Sequence, residues 1–107
     1  MIASEVEIVD YEKLQIIVSK INKEEIYRRI CRNVKKYRLE KYYEFKRNSS
    51  AKGINPYTTE NISSLLDYNH IYYKRFESEN YETKVIPLIK LIKLSHILDK
   101  DISDFLE

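Results

Sequence analysis

The sequence has little of what β-sheets, disulfide scaffolds and membrane spans need. One Gly and two Pro in 107 residues are too few for the many tight turns of an all-β fold. A single cysteine, Cys31, excludes an internal disulfide and favours a reducing, cytoplasmic setting. The first ten residues lack the features of a signal peptide. The most apolar stretch, residues 85–94, is interrupted by Lys90 and Lys93, so we expect no contact with a membrane.

Patterns typical of catalysis and metal binding are also missing. His70 and His96 fall in different predicted helices, and neither has a Cys or a carboxylate at ligand spacing. Gly53 is isolated, so there is no glycine-rich phosphate loop. We therefore predict that the protein is not an enzyme and uses no metal or cofactor.

The charges are unevenly distributed along the chain, although the net charge is only +2. Residues 23–52 carry 11 Lys and Arg against 4 Glu, whereas the rest carries 8 basic against 13 acidic side chains. Such segregation is typical of a polyanion-binding protein, but a solvated basic helix gives the same pattern. Charge alone leaves both interpretations open.

Apolar spacing predicts an all-α fold with one helix ahead of the main domain. Residues 11–21 place four side chains on one helical stripe: Leu14, Ile17, Val18 and Ile21. Asn22 is expected to cap a longer helix from about Lys23 to about Phe45. Its predicted inner face consists of Ile26, Ile30, Val34 and Tyr37. We assign residues 1–22 to an N-terminal extension and residues 23–107 to one domain.

A loop at residues 47–56 and a second polar connection at about residues 77–84 divide the rest of the chain, and two further helical segments are predicted after the second connection. Pro87 suits the first turn of a helix. The apolar stripe predicted for that helix consists of Leu88, Leu91, Ile92, Ser95 and Leu98. A last short turn would carry Ile102, Phe105 and Leu106, and it must pack on this domain or on a partner.

Residues 58–76 are the most informative segment, because they predict two short helices joined by a tight turn. The predicted inner face of the first helix consists of Ile62, Leu65 and Leu66, and Thr58 or Thr59 can cap its start. Residues 67–69 are expected to form the turn, with Asn69 capping the second helix. Tyr73 and Phe76 would face the core. This is the layout of a helix-turn-helix, whose second helix enters the major groove of DNA.

The chain resembles the Cro/Xre-type, lambda-repressor-like family of DNA-binding proteins from about Ile26 to Phe105. The resemblance is carried, in order, by residues 58–62 (TTENI), 66–69 (LDYN), Tyr73 with 76–77 (FE), 93–98 (KLSHIL) and 102–105 (ISDF). Asp67 stands where the family usually has Gly. The resemblance implies a compact five-helix domain, to which the N-terminal helix is an addition.

The same resemblance implies the residues that would contact DNA. His70, Ile71, Lys74 and Arg75 would lie on the outer face of the recognition helix. The Arg75 guanidinium has the fork geometry for the N7 and O6 atoms of guanine, and Lys74 suits guanine or a phosphate. Ile71 would pack on a thymine methyl group, and His70 or Tyr72 would bond a base edge or a backbone oxygen.

Other predicted contacts go to the phosphate backbone. Thr58 and Thr59 can hold a phosphate at their helix start as well as cap it, and Asn69 lies at the start of the recognition helix. Arg47 and Lys52, which flank the long loop, could also reach the backbone, although a basic loop without a ligand fits equally well.

We therefore expect a transcriptional regulator, acting as a repressor, that binds double-stranded DNA as a homodimer. Dimer contacts are expected from the N-terminal stripe or from the tail of Ile102, Phe105 and Leu106. One alternative is an antitoxin, with residues 1–22 binding a toxin. Another is a protein-interaction module that has lost DNA binding, which the acidic residues Glu77, Glu79 and Glu82 after the recognition helix would favour.

Overall fold

A computed structural model of the chain describes residues 10–48, 50–78 and 86–107. These ranges contain helices and loops but no strand, so the predicted all-α class is confirmed. The helices are α1 (Tyr11–Ser19), α2 (Lys23–Arg47), α3 (Thr59–Leu65), α4 (His70–Glu77), α5 (Leu88–Ile97) and α6 (Ile102–Phe105). Nowhere in the described ranges is a helix long and apolar enough to cross a bilayer.

Side-chain caps fix where most of these helices begin. Asn22 accepts a hydrogen bond from the backbone N–H of Glu25 at 3.0 Å, as the sequence predicts. Asp10, Thr58 and Asn69 cap α1, α3 and α4 in the same way. Pro87 differs from its prediction, because it precedes α5 as the N-cap residue instead of lying in the first turn.

The core forms where α2 packs against α4 and α6, while α3 packs on α4 and α5 on α6. Its largest fully buried side chains are Tyr73, Phe105, Ile62, Leu66, Leu94, Leu98 and Val34. The short helix α6 is held on α2, because the Asn33 side chain donates to the carbonyl oxygens of Phe105 and Glu107, both at 2.9 Å. The tail therefore packs on its own domain through Phe105.

Three apolar side chains lie further out than predicted. Leu65 is exposed, because the buried face of α3 runs through Ile62, Ser63 and Leu66 and is rotated away from it. Leu88 and Ile92 are exposed as well. The buried positions of α5 are 91, 94, 95 and 98, and Leu88 and Ile92 lie beside that stripe.

Helix α1 contributes nothing to this core. None of its residues is buried, and the stripe of Leu14, Ile17, Val18 and Ile21 lies open to solvent. An amphipathic helix without a covered face is a potential contact surface, since apolar side chains in contiguous exposed patches are unfavourable in water.

Candidate nucleic-acid interface

Helices α3 and α4 are joined by a turn with a left-handed residue at its centre. Asp67 has a φ of 52°, a conformation that Asp tolerates better than most residues but that still carries strain. The Nζ atom of Lys90 lies 3.0 Å from the carbonyl oxygens of both Leu66 and Asp67. This cation from α5 satisfies carbonyl groups at the end of α3 and so holds the turn in place.

The inner face of α4 is fixed by a buried ion pair. The Arg38 guanidinium of α2 donates from Nε and Nη2 to the two carboxylate oxygens of Glu77, at 2.6 and 2.8 Å. The hydroxyl group of Tyr73 donates to the same carboxylate. Arg38 also donates to the carbonyl oxygen of Tyr57, at 3.0 Å. One side chain thus ties α2 to α4 and to the segment that leads into α3.

The pKa values of two members of this cluster are raised. Burial by itself lowers the pKa of Arg38, but the hydrogen bonds and negative charge of Glu77 outweigh it, and the pKa rises above its usual value. The pKa of Tyr73 is raised strongly, first by burial and then by the neighbouring Glu77 carboxylate. Both residues therefore keep their protons at neutral pH and remain donors to Glu77.

The sequence prediction missed Arg38 and misplaced Glu77. Arg38 falls on the same side of α2 as Ile30 and Val34, at an i+4 repeat, and a cation on an apolar stripe is the signal that could have revealed it. Glu77 ends α4 and is only 5% exposed, so it is not part of an acidic surface. Glu79 and Glu82 lie outside the described residues.

The outer face of α4 places several of the predicted DNA-contacting residues side by side. Ile71 is 60% exposed, and Tyr72 and Lys74 are exposed on either side of it. Arg75 is half-buried, with its guanidinium carbon 5.9 Å from the centre of the Tyr72 ring. That ring contact limits the rotamers of Arg75, which is favourable for a group that must meet a ligand in one orientation.

His70 departs from its predicted place on the outer face. It is half-buried at the first turn of α4, and its Nε2 atom lies 3.0 Å from the Thr59 hydroxyl oxygen of α3. Thr58, not Thr59, is the cap of α3. The side chain of Asn69 is exposed, but its oxygen accepts from the backbone of Ile71 and Tyr72. These four residues thus have structural roles at the two helix starts.

A basic cleft of ≈ 610 Å³ lies between α2 and α4. Its cations come from two elements: Arg32, Lys35 and Lys36 from α2, and Lys74 from α4. Thr59, Leu39, Glu77 and Ser78 complete its lining. Four cations around one concave surface create a positive potential that attracts polyanions, even though the chain as a whole is nearly neutral.

Of these four cations, the sequence prediction included only Lys74. The i, i+3, i+4 spacing of Arg32, Lys35 and Lys36 places them together on one side of α2. That spacing is visible in the sequence, but it does not show which helix the basic side faces.

Arg47 and Lys52 do not line the cleft. Arg47 ends α2, Lys52 lies in the following loop, and both are exposed. The loop is anchored further along, where the Asn55 amide donates to the carbonyl oxygen of Tyr42 at 3.2 Å and the Asn61 amide donates to that of Asn55 at 2.8 Å. Arg47 and Lys52 are therefore exposed outside the cleft.

The comparisons with known proteins return no relative. No protein-family model matches the chain, and neither a curated protein nor a solved structure matches it. Across the part of the chain that the structure describes, no three His, Cys, Asp or Glu side chains are grouped so as to hold a metal ion.

Proposed function

We propose that the protein is a sequence-specific DNA-binding transcriptional regulator, a repressor, of the lambda-repressor-like helix-turn-helix type. Helices α3 and α4 form the helix-turn-helix, and α4 is the recognition helix. The observation that carries the proposal is the basic cleft beside the exposed outer face of α4. That arrangement offers one surface for base edges and an adjoining surface for phosphates.

The rigidity of α4 supports this assignment. Its inner face is held by the core side chains Tyr73 and Phe76 and by the Arg38–Glu77 pair, while its outer face carries Ile71, Lys74 and Arg75. A helix fixed on one side and open on the other presents its side chains in a constant register, as base readout in the major groove requires.

Regulation would then work by occupancy. A dimer reads two half-sites about one helical turn, roughly 34 Å, apart and blocks access of polymerase to the promoter. Binding DNA in this way needs no chemical step, so the proposal assigns no catalytic residue.

The direct test is selection from a random duplex pool followed by titration of the selected duplex at several salt concentrations. We expect an enriched sequence and an affinity that falls steeply with salt. A chain that retains no duplex at 50 mM salt would overturn the proposal.

Replacing Arg75 by Ala should lower discrimination at one base pair of the selected site by about 1–3 kcal/mol. The reason is that Ala removes the two donors that would bond the N7 and O6 atoms of guanine. The measurement is a competition titration with duplexes substituted at each position.

Arg75→Lys is the matched control, because Lys keeps the charge but lacks the fork of donors. We expect this variant to restore the salt dependence of binding without restoring the base preference. Unchanged discrimination in both variants would remove Arg75 from the residues that read bases.

A further inference from the structure

An apolar groove of ≈ 210 Å³ lies between α2 and α5. It is lined by Tyr27, Ile30 and Cys31 from α2, Phe76 from α4, and Leu88 and Leu91 from α5. Leu88 at its edge is 66% exposed, so the groove is open to solvent. Apolar concavities of this kind favour occupation by apolar side chains of a partner.

The stripe on α1 has the spacing of a helix that fits such a groove. Leu14, Ile17 and Val18 follow the i, i+3, i+4 anchor spacing of helix-in-groove recognition within α1, and Ile21 lies two residues beyond its last residue, Ser19. A nine-residue helix is about 13 Å long, enough for two turns to contact the groove. The chain thus carries an apolar helix and an apolar groove, and each lacks a partner surface within the described structure.

Helix α1 does not fill the groove of its own chain. No residue of α1 is buried, and Leu88 remains exposed. The short connection between α1 and α2 is ordered by the Ile21 N–H bond to Val18 and by the Asn22 cap. Among the described residues, none of α1 therefore covers the groove, and the exposed edge of the groove at Leu88 is open to a second molecule.

We infer that α1 of one copy docks into the groove of a second copy, and that the exchange is reciprocal. Each chain then contributes a helix and a groove, so the apolar area buried is twice that of a single docked helix. Doubling this area brings it closer to the roughly 800 Å² per partner that a stable interface buries. The charges agree with this occupant. Asp10 caps α1 and Glu12 lies in its first turn, while the Nζ atom of Lys23 lies 5.9 Å from the ring of Tyr27, a residue that lines the groove.

This inference adds a dimer interface to the proposed function. It rests on that function only for the reason why a dimer is needed. Its test is made without DNA, so that either proposal can fail alone. In sedimentation equilibrium the full chain should be a dimer at micromolar concentration. Ile17→Asp should raise the dimer dissociation constant at least about 100-fold, because each interface buries an unpaired carboxylate.

Two matched pairs of variants separate the interface from a general effect of added charge. Ile16 and Ile17 are equally exposed, at 56% each, but Ile16 lies off the stripe, so Ile16→Asp should leave the dimer intact. On the groove side, Leu88→Asp should dissociate the dimer. Ile89→Asp should not, because Ile89 is exposed but does not line the groove.

The exposure of all four side chains means that each variant should keep its helix content, which circular dichroism checks. A monomeric wild-type chain at 50 μM would overturn the inference. So would equal dissociation by the two members of either pair.

Discussion

Replacing Arg38 by Met should lower the free energy of unfolding by about 3–5 kcal/mol. The substitution leaves the Glu77 carboxylate buried. Within the cluster, the Tyr73 hydroxyl group is then its only remaining hydrogen-bond donor. An uncompensated buried charge is among the most destabilising changes that one substitution can make. The measurement is urea unfolding followed by circular dichroism.

Arg29→Met is the matched control for this result. Arg29 lies in the same helix and pairs with Glu25, but the two side chains are 45% and 58% exposed, so its loss should cost less than about 1 kcal/mol. Replacing the whole cluster, by Arg38→Met, Glu77→Leu and Tyr73→Phe, should recover most of the stability, since the buried charges and the buried hydroxyl group are removed together and only the part-buried Tyr57 carbonyl oxygen loses its donor. Equal costs for Arg38→Met and Arg29→Met would show that the pair does not hold α4.

Much of the local structure could be predicted from the sequence because its signals are local. The caps at Asn22 and Asn69 act within three residues of themselves, and the left-handed turn at Asp67 lies between two short apolar patterns. The buried positions of α4, Tyr73 and Phe76, follow from helical spacing alone. Such features need no knowledge of what the helix packs against.

The tertiary features could not be predicted in this way. Arg38 and Glu77 are 39 positions apart, and nothing in either local sequence specifies the other as its partner. Leu88 and Ile92 fit an apolar stripe, but the packing of α5 buries the neighbouring positions instead. Burial of an apolar residue depends on which neighbours surround the helix, and spacing does not supply that information.

The candidate site also combines local features that could be predicted with tertiary features that could not. The outer face of α4 was predicted at every position but His70, because the inner residues of a helix define its outer ones. The basic cleft was not, because it exists only where α2 and α4 meet and brings Lys35 and Lys36 next to Lys74. A charge-rich segment becomes a binding surface only through such packing.

Replacing both Lys35 and Lys36 by Gln should weaken DNA binding by roughly 200-fold at 50 mM salt. Each phosphate contact contributes about 0.9 to the slope of log affinity against log salt, which corresponds to roughly 15-fold at that concentration. The slope itself should fall by about 1.8, and the loss should be the same for selected and random duplexes, because phosphates carry no base identity. Fluorescence anisotropy titrations at four salt concentrations measure all three quantities.

Lys41 and Lys93 provide the control of equal charge. Neither lines the cleft, so their replacement by Gln also lowers the net charge by two but should leave the slope nearly unchanged. The stability of the Lys35 and Lys36 variant should fall by no more than about 1 kcal/mol, because both side chains are exposed, neither forms an ion pair in the described part of the chain, and only the contact of Lys36 Nζ with the Tyr37 ring, at 5.4 Å, is lost. Equal losses of affinity in the two double variants would show that net charge, and not the cleft, attracts DNA. Arg47 and Lys52 would then be the next candidates for the phosphate-binding surface.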